Sequence, residues 1–119
     1  MRILILEDSD LLGPMLVRAF RRRGHEVVLC TNIASLTLTL QTMVDEMPDV
    51  ILCDRELPDG DGWEWSYRNP TWVHEGDMSN PRFCYMSGNP KEPVSHPYYH
   101  KGIDGLDTLF AMVERSEKG

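Results

Sequence analysis

Apolar residues fall into five short runs, separated by stretches with helical periodicity. The run RILIL at 2–6 stops abruptly at Glu7-Asp8, which suits a strand buried in a parallel sheet. Leu11, Leu12, Met15, Leu16, Ala19 and Phe20 then recur at helical spacing. Asp10 is the expected cap of that helix, Pro14 is tolerated in its first turn, and Gly24 is placed to end it. A second strand is predicted at 26–30 (EVVLC). The stretch 33–47 puts Leu36, Leu40, Met43, Val44 and Met47 on one helical face and is closed by Pro48. Its threonines Thr37, Thr39 and Thr42 are mediocre helix formers, so packing must support it. The run 49–53 (DVILC) is the third strand, with Asp54 at its carboxyl end.

The second half is less regular. Residues 58–62 (PDGDG) read as a turn-rich loop. Trp63, Trp65, Tyr67, Trp72 and Val73 are apolar enough to bury, but Asn69-Pro70 and Glu75-Gly76-Asp77 interrupt any long helix. The expectation is a short helix over 62–68 followed by a loop. A fourth strand at 82–86 (RFCYM) ends at Ser87. Pro90, Pro93 and Pro97 exclude a regular helix across 88–97. A short fifth strand at 98–100 ends at Lys101. A last helix over 104–117 buries Leu106, Leu109, Phe110 and Val113. Strands alternating with helices predict an α/β fold, a doubly wound parallel sheet with helices on both faces, in a single domain over 1–119.

Composition narrows the function classes. The net charge of −7 argues against direct nucleic-acid binding, which calls for excess Lys and Arg. The one basic cluster, Arg21-Arg22-Arg23, ends a predicted helix, where cations suit the negative end of the dipole. There is no apolar run of the roughly 20 residues needed to span a bilayer, and the N-terminus turns acidic too early for a signal peptide. No membrane association and a cytoplasmic location are therefore expected. Cys30, Cys53 and Cys84 lack CxxC spacing and sit in or beside apolar runs, as small buried thiols do.

In open α/β sheets, ligands bind at the carboxyl ends of the strands. Strand one ends at Glu7-Asp8, strand three at Asp54, strand four at Ser87 and strand five at Lys101. Taken singly, each has an ordinary explanation: a helix cap, a turn acid, a turn hydroxyl, a solvated lysine. If these strands are neighbours, the side chains converge. Three crowded carboxylates repel one another, and a hard divalent cation with oxygen ligands (magnesium, with manganese or calcium as substitutes) relieves that repulsion. With Lys101 and a Ser87 hydroxyl added, the set suits the equatorial oxygens of a phosphoryl group, with Asp54 as nucleophile. An EF-hand reading of DRELPDGDG fails, because position five from Asp54 is Pro58 and position six is Asp59 rather than Gly.

With these residues the chain resembles the receiver domains of two-component response regulators. The carriers are Glu7-Asp8 after RILIL, the segment PDVILCDRELPDGDG (48–62), Ser87 after FCYM and Lys101 after YYH. The resemblance implies a flavodoxin-like (CheY-like) three-layer sandwich. It implies that Asp54 is the phosphoacceptor and that Asp8 binds Mg2+ directly, with Glu7 acting mainly through water. The backbone carbonyl of Glu56 is a further implied ligand. Lys101 would pair with the phosphoryl group, Ser87 would hydrogen-bond it and shift on activation, and Tyr98 matches the aromatic switch position, although a strand aromatic covering the sheet edge explains it equally well. Glu56 and Asn89 match positions that tune the lifetime of the phosphorylated state. The implied partner is a sensor histidine kinase or a histidine phosphotransfer protein.

Three departures from the family pattern stand out. Gly102 follows Lys101 where the family usually has Pro. The third helix is interrupted at Asn69-Pro70. The span 88–100 must hold both a fourth helix and most of the fifth strand, so that helix is expected to be missing or a single turn. The face it helps to form often carries dimerisation and output, so the usual partner mode is in doubt, while a homodimer stays possible. Two other functions compete: a receiver-like binding module that works without phosphorylation, favoured by the eroded helix, and a metal-dependent small-molecule phosphatase. The latter is disfavoured by the absence of a cap domain and of a second acid beyond Asp54 other than Glu56.

Overall fold

The computed structural model describes residues 1–43, 46–68, 82–88, 98–101 and 105–114; the side chains of Trp63, Ser66, Tyr67, Arg82 and Tyr98 lie outside that description. The elements run β1 (Arg2–Leu6), α1 (Leu12–Arg22), β2 (Glu26–Cys30), α2 (Ile33–Thr42), β3 (Val50–Asp54), β4 (Glu56–Leu57), β5 (Gly60–Asp61), α3 (Gly62–Arg68), β6 (Arg82–Ser87), β7 (Tyr98–His100) and α4 (Leu106–Glu114). Five strands form one parallel sheet in the order β2-β1-β3-β6-β7. The order reverses at β1/β3, the switch point where open α/β sheets place their sites.

Strand alternation divides the core between the two faces. Ile3, Ile5, Val50, Leu52, Cys84 and Met86 face one side, against Leu16, Val17 and Phe20 of α1 and Leu109 and Val113 of α4. Leu4, Leu6, Ile51, Cys53, Phe83 and Tyr85 face the other, against Leu36 and Leu40 of α2 and Trp65 of α3. β3 is buried along its whole length, as a central strand covered on both faces must be. Cys30, Cys53 and Cys84 are all buried.

Several boundaries differ from the sequence expectation. The first turn of α1 is capped by Ser9, whose Oγ accepts from the Leu11 and Leu12 N–H groups at 3.3 and 3.1 Å, rather than by Asp10. Ser9 holds the position from which a short side chain reaches both orphan amides. α2 ends at Thr42 instead of continuing to Met47. Met43 and Met47 still pack, partly buried, on the α2 side of the core, while Val44 lies outside the described residues. β3 runs one residue further and takes in Asp54, and β6 takes in Ser87. The stretch 58–62 is not simply a loop. Glu56–Leu57 and Gly60–Asp61 pair antiparallel about Pro58-Asp59. The expectations for Trp72, Val73, Asn89 and a missing fourth helix, and for the turn at Gly102, fall outside the described residues. The last helix begins at Leu106, which is exposed rather than buried, and its expected end at 117 falls outside the described residues.

The end of α1 follows its expected chemistry. Arg21 and Arg22 occupy the last turn, and Gly24 adopts φ 90°, a left-handed conformation that glycine reaches without steric cost. Arg23 turns to α4 instead: its Nε donates to Glu114 Oε2 at 2.6 Å, and its guanidinium lies 4.3 Å from the Phe110 ring centroid. His25 Nε2 lies 2.6 Å from the same carboxylate oxygen. Phe110 in turn meets Phe20 edge-on at 5.3 Å between ring centroids.

Two predictions follow from this packing. Phe20 is fully buried, and Phe20→Ala should destabilise the protein by about 3–5 kcal/mol in urea unfolding. The hydrogen bond from Arg23, opposed by burial and aided by His25, holds the Glu114 carboxyl at about 2, below its ordinary 4.5. A depressed acid stabilises the fold above its unfolded-state value, and that contribution fades as pH falls from 4.5 towards 2. Glu114→Gln should therefore melt below the parent at pH 7, and the gap should narrow as pH drops below 4.5.

Candidate functional site

The carboxyl ends of β1, β3, β6 and β7 bring the charged residues together. Parallel pairing aligns Leu6 with Cys53, Asp54 with Met86, and Ser87 with His100. The residues that follow or end these strands therefore share one edge of the sheet. Glu7, Asp54 and Ser87 are each at most 2% exposed. Burial of acidic side chains to this degree requires ionic or hydrogen-bonded partners.

Lys101 supplies them. Its Nζ lies 2.6 Å from Glu7 Oε1 and 3.0 Å from Asp54 Oδ2, so one ammonium bridges two buried carboxylates. The remaining oxygens meet backbone amides: the Ser9 N–H donates to Glu7 Oε2 at 3.0 Å and the Glu56 N–H to Asp54 Oδ1 at 3.3 Å. The Lys101 N–H donates to the Ser87 carbonyl at 2.9 Å, which fixes the start of the Lys101 side chain against β6. One carboxylate oxygen each from Glu7, Asp8 and Asp54 lies within 4.8 Å of the others. Asp8 is exposed and presents its carboxylate from the solvent side.

The charge balance at this edge is unfavourable for full ionisation. Burial, followed by the Glu7 charge, raises the Asp54 carboxyl to about 7, although the Lys101 hydrogen bond and charge pull it the other way. Burial alone would lower the Lys101 ammonium, but its contacts with Glu7 and Asp54 outweigh that and hold it above its ordinary value. Among the described residues, one lysine thus leaves negative charge unmet. The unmet charge sits on hard oxygen donors, which fit magnesium, manganese or calcium.

The backbone around Asp54 is tightly held. The Arg55 N–H donates to the Met86 carbonyl and the Gly62 N–H to the Arg55 carbonyl, both at 2.9 Å, while Arg55 Nε pairs with Asp61 Oδ2 at 3.1 Å. Gly62 is an obligatory close approach: a Cβ there would stand 2.4 Å from the Asp54 carbonyl oxygen and 2.3 Å from Cys53 Sγ.

Of the residues expected from sequence, Glu7, Asp8, Asp54 and Lys101 meet in one cluster. Ser87 lies buried at the tip of β6, one residue beyond the partner of Asp54. Glu56 lies beside the cluster through its backbone, with its side chain exposed. Tyr98 pairs with Tyr85 across β6 and β7, and its side chain lies outside the described residues. The sequence reading did not anticipate Ser9, the Arg55–Asp61 pair or the role of Asp59 described below. The DG repeat in PDGDG signalled a turn, but its register was not legible.

The fold is that of response-regulator receiver domains, with a flavodoxin-like five-stranded parallel sheet. The receiver domain of the hybrid histidine kinase CckA matches at a TM-score of 0.77 and 22% identity, over 96% of this chain and 96% of that one. CheY4, a chemotaxis response regulator of Vibrio cholerae, matches at 0.76 and 17% identity over the same shares, and a CheY-like receiver domain from Methylobacillus flagellatus at 0.73 and 19%, again over 96% of each chain. In sequence, the chain is 34% identical to the transcriptional regulatory protein YxdJ of Bacillus subtilis over 64 residues, 54% of this chain and 27% of that protein. It is 32% identical to the uncharacterized transcriptional regulatory protein YbdJ of the same organism over 65 residues, again 27% of that protein. The chain therefore aligns with about a quarter of the length of these relatives. No protein-family model matches it. Among the described residues, no helix is long and apolar enough to cross a membrane.

The crowded edge predicts two outcomes. An acid raised from 3.8 to about 7 binds a proton more tightly folded than unfolded, so its ionisation destabilises the fold as pH rises through that window. In chelator, Asp54→Asn should be more stable than the parent at pH 8 by up to a few kcal/mol, with the difference vanishing near pH 4 in urea melts. Gly62→Ala should cost about 1–3 kcal/mol through overpacking and shift the Arg55 amide resonance, since the Asp54 carbonyl has to move.

Proposed function

We propose that the chain is a phosphoacceptor receiver domain of a two-component relay, in which Asp54 takes a phosphoryl group in a magnesium-dependent reaction and thereby switches a contact with another protein. The supporting observation is the bridging of Glu7 and Asp54 by Lys101, with Asp8 at the rim. The donor would be a sensor histidine kinase or a histidine phosphotransfer protein.

In this reading Asp54 Oδ attacks the phosphorus of a phosphohistidine. The N–P bond breaks, its electron pair stays on the imidazole nitrogen, and an O–P bond forms to give an acyl phosphate. Lys101 pairs with a phosphoryl oxygen, and the Ser87 hydroxyl donates to another. Glu7, Asp8, Asp54 and the Glu56 carbonyl would hold a magnesium ion, which when bound supplies charge neutralisation to the transferred group. A cation held there would favour the ionised form of Asp54, which burial and the Glu7 charge disfavour. Hydrolysis of the same acyl phosphate would reset the domain.

A binding module that works without phosphorylation would not need Asp54, Glu7 and Lys101 in one buried cluster. Ionic groups left in such a place without chemical use cost stability.

Incubation with acetyl phosphate and magnesium should add one phosphoryl mass, mapped to Asp54 by proteolysis. The gain should be absent in EDTA and in Asp54→Asn, and Lys101→Ala should slow it on the order of 100-fold. No mass gain on a folded, magnesium-bound protein would overturn the proposal. Magnesium at about 100 times its Kd should stabilise the parent by about 2.7 kcal/mol, and Asp8→Asn should remove most of that gain.

A further inference from the structure

The loop that leaves Asp54 does not end at the site. β4 and β5 fold back on each other, Glu56 opposite Asp61 and Leu57 opposite Gly60. The tip of this hairpin reaches the start of α2, where Asp59 accepts from the Ile33 N–H through Oδ1 at 2.8 Å and from the Ala34 N–H through Oδ2 at 3.0 Å. Gly60 lies against the same residue: at its φ of 153°, a Cβ would stand 2.8 Å from Ile33 Cδ1. Leu57 and Ile33 pack against the same apolar cluster.

α2 depends on this contact more than most helices would. Its sequence, IASLTLTLQT, has three threonines and no acidic residue in its first turn. Low propensity leaves its stability to packing and capping. Asn32 Oδ1 serves the Ser35 amide at 2.7 Å, while the Ile33 and Ala34 amides are served from outside the helix, by Asp59. The Asp59 carboxylate also supplies the negative charge that the N-terminal dipole favours, and its carboxyl is lowered by these amide hydrogen bonds. At its other end the hairpin is fastened to the site: the Glu56 N–H donates to Asp54 Oδ1, and the Arg55–Asp61 pair and the Gly62 N–H brace it from below.

We propose that the β4–β5 hairpin is a strap linking the Asp54 site to the first turn of α2 through Asp59, so that a change of charge or occupancy at Asp54 alters the order of α2. This rests on the phosphoacceptor reading for its physiological trigger but not for the mechanical link. Any perturbation of Asp54 that moves the Glu56 amide must be taken up along a two-residue ladder with a rigid tip. By linkage, α2 and the site then influence each other equally.

Amide hydrogen exchange by NMR tests the strap in the parent and in Asp59→Ala, each with and without magnesium plus beryllofluoride. Loss of the cap should speed exchange at Ile33 and Ala34 about 5-fold. In the parent, the ligand should change exchange at Arg55, Gly62, Ile33 and Ala34. In Asp59→Ala, the response should persist at Arg55 and Gly62 and vanish at Ile33 and Ala34. A parent in which Arg55 and Gly62 respond while Ile33 and Ala34 do not, or an Asp59→Ala protein in which all four still respond, overturns the strap. If no amide responds, the phosphoacceptor reading is what fails. The strap is then read from Asp54→Asn in chelator, where altered exchange at Ile33 and Ala34 that Asp59→Ala abolishes supports it and unaltered exchange overturns it.

Discussion

Lys101 stands between two carboxylates that the fold has taken out of water. Glu7 directly follows β1 and Asp54 ends the adjacent parallel strand β3, so the sheet brings them together whether or not their charges agree. A single ammonium 2.6 and 3.0 Å away makes that burial tolerable without balancing it. The residual charge appears as the raised Asp54 carboxyl and as an oxygen-rich cluster with Asp8 at its open side. Among the described residues, a site with three carboxylates and one ammonium has the oxygen donors to hold a cation. The rest of the structure serves to hold this imbalance in place.

The sheet does so by being covered on both faces. With α1 and α4 on one side and α2 and α3 on the other, β3 has no solvent-facing side chain, and its end is correspondingly rigid. The turn that follows is equally constrained, since Gly62 leaves no room for a methyl group beside the Asp54 carbonyl. Close packing beside Asp54 and the Asp59 hydrogen bonds to the first turn of α2 both come from the short hairpin that follows β3.

Much of this was legible in the chain. The apolar run at 2–6 marks a strand because a buried parallel strand leaves a continuous apolar signature, and the acids, hydroxyl and lysine that end the runs mark the sheet edge. The errors came where local signals compete. Ser9 and Asp10 are both good caps, and only the path of the chain out of β1 chooses between them. The apolar spacing of Met43 and Met47 extends the α2 pattern, yet both reach the core from irregular backbone beyond Thr42, since burial does not require helix. Pro58-Asp59-Gly60 announced a turn, but a pair of two-residue strands is too short to leave an alternation pattern.

By itself, the sequence determined the class of fold, the five main strands to within a residue and the residue types available for chemistry, because periodicity and strand termination are properties of neighbouring residues. The tertiary structure alone decided that Lys101 reaches Glu7 as well as Asp54, that Arg23 and His25 share Glu114, and that Asp59 caps a helix 25 residues earlier in the chain. These pairings depend on strand order and on the angle at which elements leave the sheet. Both are set by the packing of the whole core, and no local stretch of sequence carries that information.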